Sequence, residues 1–229
     1  MAYINGIEVN IISYDIETIP MSKDITSEIQ KNLLEKRIES LKQYSGKDTV
    51  EENEINKLQA TSPYFGEIVC IGIYEESPRY PNGHSAAVYQ KKGISEKDIL
   101  KQFWDHIEGF HGTFVSFNGL SFDAPFIRNR SWKYGIPLTN KNFIKLQRFS
   151  TYPHFDVMKI FSNWEIRNTI GLEGVTDFFS VPSPKEGEVK AENVYDAYLD
   201  GRIVEIAEYC KRDVESTALV YKSMLELGY

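Results

Sequence analysis

Val9-Asn10-Ile11-Ile12-Ser13-Tyr14-Asp15-Ile16-Glu17-Thr18 sets three β-branched residues and a tyrosine just ahead of two carboxylates. β-Branched and aromatic side chains favour a pleated, half-buried backbone, so a strand is expected over Val9 to Asp15. Side chains two apart on a strand share a face, which projects Asp15 and Glu17 together from a strand end near the core. Two neighbouring anions repel unless a cation lies between them, and a hard divalent ion with oxygen ligands meets that need. A DxE pair on a protein surface is common; one that follows a buried strand is not.

Outward from this stretch, Glu67 to Tyr74 (EIVCIGIY) is an apolar run suited to a sheet interior. Ala86 to Gln90 reads as a third strand and Thr113 to Phe117 as a fourth, ended by the Asn118-Gly119 turn. A helix is expected from Ser95 to Phe110, with Ser95 as N-cap and Ile99, Phe103, Ile107 and Phe110 on one face. Further helices are expected from Asp123 to Tyr134 and from Arg202 to Leu227. His154 to Val157 fits a short strand or a helix start. This order implies an α/β fold, a mixed β-sheet flanked by helices. We read residues 1–229 as a single domain. Met21 to Ser62, polar and highly charged, is a helical insertion after the first strand, far longer than a hairpin needs. It is expected to pack at the sheet edge; a lid over substrate or a dimer arm is the sharper alternative.

Composition sets bounds. Of 229 residues, 41% are hydrophobic and 26% charged, enough for a core. No apolar run approaches the roughly 20 residues that span a bilayer, so no membrane partner is expected. Met1 to Asn10 lacks a secretory pattern, and a cytoplasmic protein is expected. Cys70 and Cys210 have neither zinc-site nor disulfide spacing and read as small buried side chains. A net charge of −7 argues against a nucleic-acid partner, yet no acidic residue falls between Asp123 and Asp156. Arg128, Arg130, Lys133, Lys141, Lys145 and Arg148 lie there among Trp132, Tyr134, Phe143, Phe149 and Tyr152. Such a segment can track phosphates and stack bases; a solvated charged surface over core aromatics is the plainer reading.

Two more segments carry chemistry. Asn118-Gly119-Leu120-Ser121-Phe122-Asp123 joins a buried strand to a helix, with Asp123 near the helix N-terminus, where a carboxylate is favoured whether or not it caps. Tyr209-Cys210-Lys211-Arg212-Asp213 lies on the last helix, where the four-residue spacing puts Tyr209 and Asp213 on one face. In an amphipathic helix that tyrosine can equally be core.

The order DxE, NGxxFD, YxxxD resembles the three exonuclease motifs of the DEDD superfamily. The position five before the last aspartate, where the histidine subtype carries its histidine, is Glu208, whereas Tyr209 matches the tyrosine subtype. The likeness is greatest to stand-alone exonucleases related to the proofreading domain of family-B DNA polymerases. It extends through Gly66 to Gly72, Ser116 to Phe126, Phe155-Asp156-Val157 and Ile206 to Asp213. It implies a ribonuclease H-like sheet and a metal-dependent 3′→5′ exonuclease that releases nucleoside 5′-monophosphates from DNA 3′ ends, with single-stranded DNA the expected substrate. Asp15, Glu17 and Asp213 would hold one divalent cation. Asp15 would bridge to a second, on which Asp123 acts through water. Both ions are expected to be Mg²⁺, with Mn²⁺ able to substitute. Tyr209 would orient the attacking water, and Thr18, Asn118 and Phe122 would lie beside the terminal nucleotide. An exoribonuclease of the RNase D type shares this pattern, and a non-catalytic nucleic-acid-binding or polymerase-associated subunit is the rival from another class. Association with a polymerase or a second copy is left open.

Other polar residues have plainer roles. Asp156 is equally a helix cap, and His84, His106, His111 and His154 lack metal spacing and read as structural or surface. Lys185 could reach a phosphate, but an exposed loop lysine is the simpler reading.

Overall fold

A computed structural model describes residues 3–21, 27–183 and 187–229. It opens with a small hairpin, β1 (Tyr3–Ile4) and β2 (Ile7–Glu8), and continues into the ten-residue strand β3 (Ile11–Pro20). Then come α1 (Glu28–Ser45), α2 (Glu52–Ala60), β4 (Gly66–Ser77), β5 (Tyr80–Tyr89), α3 (Glu96–Ile107), β6 (Thr113–Ser116) and α4 (Asp123–Lys133). The chain ends through β7 (His154–Asp156), α5 (Val157–Phe161), α6 (Leu172–Phe178), α7 (Val194–Leu199) and α8 (Ile203–Glu226). The main sheet has the order β5-β4-β3-β6-β7. β3 pairs antiparallel with β4 and parallel with β6, so the sheet is mixed with β3 at its centre. Helices cover both faces, as the element order implied.

Period-two alternation along β3 divides the core. Ile12, Tyr14 and Ile16 pack on α3 and α4, against Ile99, Phe103, Trp104, Phe126 and Ile127. Ile11 and Ile19 point the other way, towards α7 and α8. Each fully buried side chain of this size contributes about 1.5–3 kcal/mol relative to exposure. Ser95 caps α3 in a reciprocal capping box with Asp98. Tyr14 reaches His154, whose Nδ1 is 3.1 Å from the phenol oxygen, while His154 Nε2 lies 2.7 Å from the Phe143 carbonyl. With a carbonyl at Nε2, the ring donates there and accepts the Tyr14 hydroxyl proton at Nδ1. Burial pushes its pKa down to about 4, so it is a neutral structural histidine.

Three features differ from expectation. β3 runs on to Pro20, so Asp15 and Glu17 lie within the strand rather than at its end. β5 starts six residues earlier than the apolar pattern suggested, because Pro81, Asn82 and Gly83 mask it; an edge strand tolerates such residues. Within Met21 to Ser62 the described helices, α1 and α2, do not pack at a sheet edge, since the edges are β5 and β7. α1 buries no side chain, whereas α2 lies against the central strand. The Thr18 hydroxyl donates to the Ala60 carbonyl at 2.8 Å. Gly66 permits the approach: a Cβ there would lie 2.9 Å from the carbonyl oxygens of Gln59 and Ala60. Among the described residues no helix is long and apolar enough to cross a membrane.

Candidate active site

Asp15 and Glu17 stand on the α8-facing side of β3, as their spacing required. Opposite Glu17 the β3–β4 register slips: Glu17 pairs with Cys70 but Thr18 with Ile68, leaving Val69 as the extra residue of a bulge in β4. Bulges of this kind re-aim side chains beside functional sites. α8 crosses the sheet at Gly72, where a Cβ would meet Cys210 Sγ at 2.7 Å and the Cys210 carbonyl oxygen at 3.0 Å. That close crossing delivers Tyr209 and Asp213, one turn apart, to the same cleft as Asp15 and Glu17.

Asp123 arrives differently. Asn118 takes a left-handed backbone (φ 66°), and Asp156 fixes the turn by accepting the Asn118 N–H at 2.9 Å and the Leu120 N–H at 3.1 Å. Asp156 also caps α5 through the Lys159 N–H, so the cap reading is correct and incomplete. α4 then begins at Asp123, whose Oδ1 accepts the Ile16 N–H at 3.0 Å, between the two acids of β3. Asp123 is buried and is not among the residues that line the cleft.

The cleft holds about 680 Å³, with Thr18 and Phe122 among its walls. Asn118 is not part of that lining; its backbone serves the turn instead. Lys185 lies outside the described residues. Arg130 and Phe143 of the basic, aromatic segment are buried and cannot face a phosphate chain, whereas Lys141, Lys145, Arg148 and Phe149 are exposed.

One neighbour escaped the sequence reading. Asp15, Glu17 and Cys210 place possible ligand atoms within 4.8 Å of one another. Cys210 Sγ lies 3.4 Å from Asp15 Oδ2, and burial raises the thiol's pKa, so it acts as a weak protonated donor. Its position beside Tyr209 was the only signal in the sequence.

Electrostatics fit a cation. Burial and then Asp123, Glu17 and Asp213 push the Asp15 carboxyl well up; burial and then Asp213 do the same to Glu17. Asp123 and Asp213 are each raised to about 7, mainly by burial. Asp213 Oδ1 is buried without a hydrogen-bond partner. An orphaned oxygen among hard, mutually repelling carboxylates is what a divalent ion satisfies, and the residues present fit one.

A stability prediction follows from the same acids. Against an ordinary 3.8, a folded value of about 7 means that the native state holds these protons while the unfolded chain releases them. The associated stability is fully present below pH 3.8 and is lost as pH rises through about 7. Metal-free protein should therefore be less stable at high than at mildly acidic pH, by about 1–3 kcal/mol across neutrality. Thermal melts in chelator, and with added Mg²⁺ or Mn²⁺, should show the larger metal-induced rise at the higher pH. A rise that is larger at the acidic pH would contradict binding at these carboxylates.

A family model described as "Predicted 3'-5' exonuclease related to the exonuclease domain of PolB" matches residues 65–227, from the start of β4 through α8. Among solved structures the chain is similar to the family B DNA polymerase from the hyperthermophilic archaeon Pyrobaculum calidifontis. The TM-score is 0.60 at 17% identity, over 95% of this chain and 24% of that one. The chain thus spans about a quarter of the polymerase's length, and at this identity the likeness is one of fold. That fold is the ribonuclease H-like one, a mixed five-stranded sheet flanked by helices.

Proposed function

Because the chain belongs to the family of predicted 3′–5′ exonucleases related to the exonuclease domain of PolB, we propose that it hydrolyses the terminal phosphodiester of single-stranded DNA and releases nucleoside 5′-monophosphates. One observation carries this reading. The acids of β3 and the Tyr209–Asp213 pair of α8 open on a single cleft, and Asp213 Oδ1 is buried there without a partner.

Asp15, Glu17 and Asp213 would hold one divalent cation, and Asp123, set back and acting through water, would serve a second. When bound, such ions lower the pKa of a water and stabilise charge on the departing 3′ oxygen; Mg²⁺ is the expected occupant and Mn²⁺ a substitute. The protein's own part is placement. β3 and α8 carry the ligands on rigid elements, and the Ile16 N–H fixes Asp123. Burial, followed by Asp213, Glu17 and Asp15, drives the Tyr209 phenol far above its ordinary value, so it stays protonated. Tyr209 is therefore a hydrogen-bonding group that orients the attacking water, never a base. That water adds to phosphorus as the bond to the 3′ oxygen breaks. Thr18 and Phe122, at the cleft wall, would flank the terminal nucleotide.

The deciding experiment incubates the protein with end-labelled single-stranded DNA and with RNA of identical sequence, with Mg²⁺ and with chelator. The expected result is a chelator-sensitive ladder that shortens from the 3′ end of DNA, with slower loss of RNA. Faster loss of RNA would make it an exoribonuclease, and binding without cutting would make it a non-catalytic subunit. Tyr209→Phe, which removes only the hydroxyl, should lower kcat roughly 10- to 1,000-fold. Wild-type turnover in that variant would refute the orienting role.

A further inference from the structure

The reaction centre is a poor place for a polyanion to enter. Asp15, Glu17, Glu192, Asp196 and Asp213 all line the cleft, and Lys57 is the one lysine or arginine among the described residues that does. Lys57 comes from α2, within the segment that precedes the residues matched by the family model.

α2 is built to present one polar face there. Asn53, Asn56, Lys57 and Ala60 recur at three- and four-residue steps, which places them on one side of a helix, and all four line the cleft. Gln59 turns inward and is buried. The helix is seated firmly, through the Thr18–Ala60 hydrogen bond and the close approach at Gly66. Thr18 is only one residue past Glu17, so the polar face is held in fixed register with the carboxylates. A fixed wall with one cation and two amides suits a nucleic-acid backbone, whose phosphate takes the charge while sugar and base edges take the amides.

We propose that the Asn53–Asn56–Lys57 face of α2 is the strand-binding wall of this cleft, with Lys57 on a backbone phosphate and Asn56 on the adjoining sugar or base. This rests on the exonuclease reading above. It makes the inserted segment part of the substrate site, where it supplies the one positive charge that the cleft carries among the described residues.

The test uses the full chain and a 5′-labelled single-stranded oligonucleotide, with KM and kcat measured between about 50 and 200 mM salt, where phosphate contacts are most salt-sensitive. Lys57→Ala should raise KM roughly three- to tenfold, more than it lowers kcat. It should also flatten the dependence of log(kcat/KM) on log salt by about 0.7, the share of one single-strand phosphate. Lys57→Arg should restore both. Asn56→Ala should raise KM with the salt slope unchanged, because no charge is removed. Wild-type KM and slope in Lys57→Ala would overturn the proposal; so would a raised KM with an unaltered slope, which marks lost packing rather than a lost phosphate contact. If the wild-type protein cuts neither DNA nor RNA, the exonuclease reading fails on its own. The Lys57 contact is then read from the salt dependence of fluorescence anisotropy with the same uncut oligonucleotide.

Discussion

Asp15→Asn should abolish hydrolysis, by at least about 10³-fold in kcat/KM, and should make the metal-free protein more stable. The two effects share a cause. Asp15 sits among Glu17, Asp123 and Asp213, and burial together with those three acids raises its pKa. An amide of the same shape removes one of four clustered acids, and with it the cost of either charging or protonating that buried carboxyl when no cation is present. It also removes the ligand that would be shared between two ions, and charge building on phosphate oxygens then loses its neutralising partner. A gain of about 1 kcal/mol corresponds to a rise of roughly 2–4 °C in Tm for a chain of this size. Single-turnover cleavage of labelled DNA and melts in chelator measure both. Asn at position 15 with wild-type turnover would remove the carboxylate cluster from the reaction. A lower melting temperature in chelator would mean that the acids do not repel.

Arg130→Met should give the largest loss of stability. Arg130 and Glu96 are 1% and 3% exposed and form a two-pronged pair, Nε to Oε1 at 2.7 Å and Nη2 to Oε2 at 2.5 Å. The same carboxylate accepts the Ile68 N–H at 2.9 Å and the Tyr134 hydroxyl at 2.8 Å, and Arg130 also donates to the Pro63 carbonyl. The network thus ties α3 and α4 to the start of β4 and to the loop after α2. Removing the guanidinium strands a buried carboxylate, which costs about 3–5 kcal/mol, a Tm drop of roughly 6–20 °C. Glu96→Gln in the same chain keeps an acceptor for Ile68 and removes the orphan charge. The double variant should therefore recover part of the loss, a coupling that a double-mutant cycle measures directly. Equal melting temperatures for wild type and Arg130→Met would show that the pair contributes nothing.

Much of the fold was legible because it is local. The β-branched run into Asp15 and the three- and four-residue spacing through Ile203, Ile206, Cys210 and Val214 each declare an element without reference to the rest of the chain. Of the acids that the motif order singled out, Asp15, Glu17 and Asp213 line one cleft, while Asp123 does not. What the sequence hid depends on partners distant along the chain. Arg130 looks like one cation of a surface series until α3 supplies Glu96. Cys210 looks like an inert core residue until β3 brings Asp15 within 3.4 Å. Asp156 could be read as a helix cap, but its hold on Asn118 and Leu120 follows from the parallel pairing of β6 with β7. The polar face of α2 carried no sign of where it points. Its direction is set by Gly66 and Thr18, through contacts that no periodicity reports. β5 was shortened in the reading because proline and glycine usually break strands, and only its edge position excuses them.

The crossing of α8 over Gly72 has a bearing on when the molecule can act. Tyr209 and Asp213 follow Asp15 and Glu17 by some two hundred residues. On the exonuclease reading, a chain that stops short of α8 carries only part of the proposed centre and is expected to leave a strand uncut. The proposed centre is complete only once α8 has docked over Gly72.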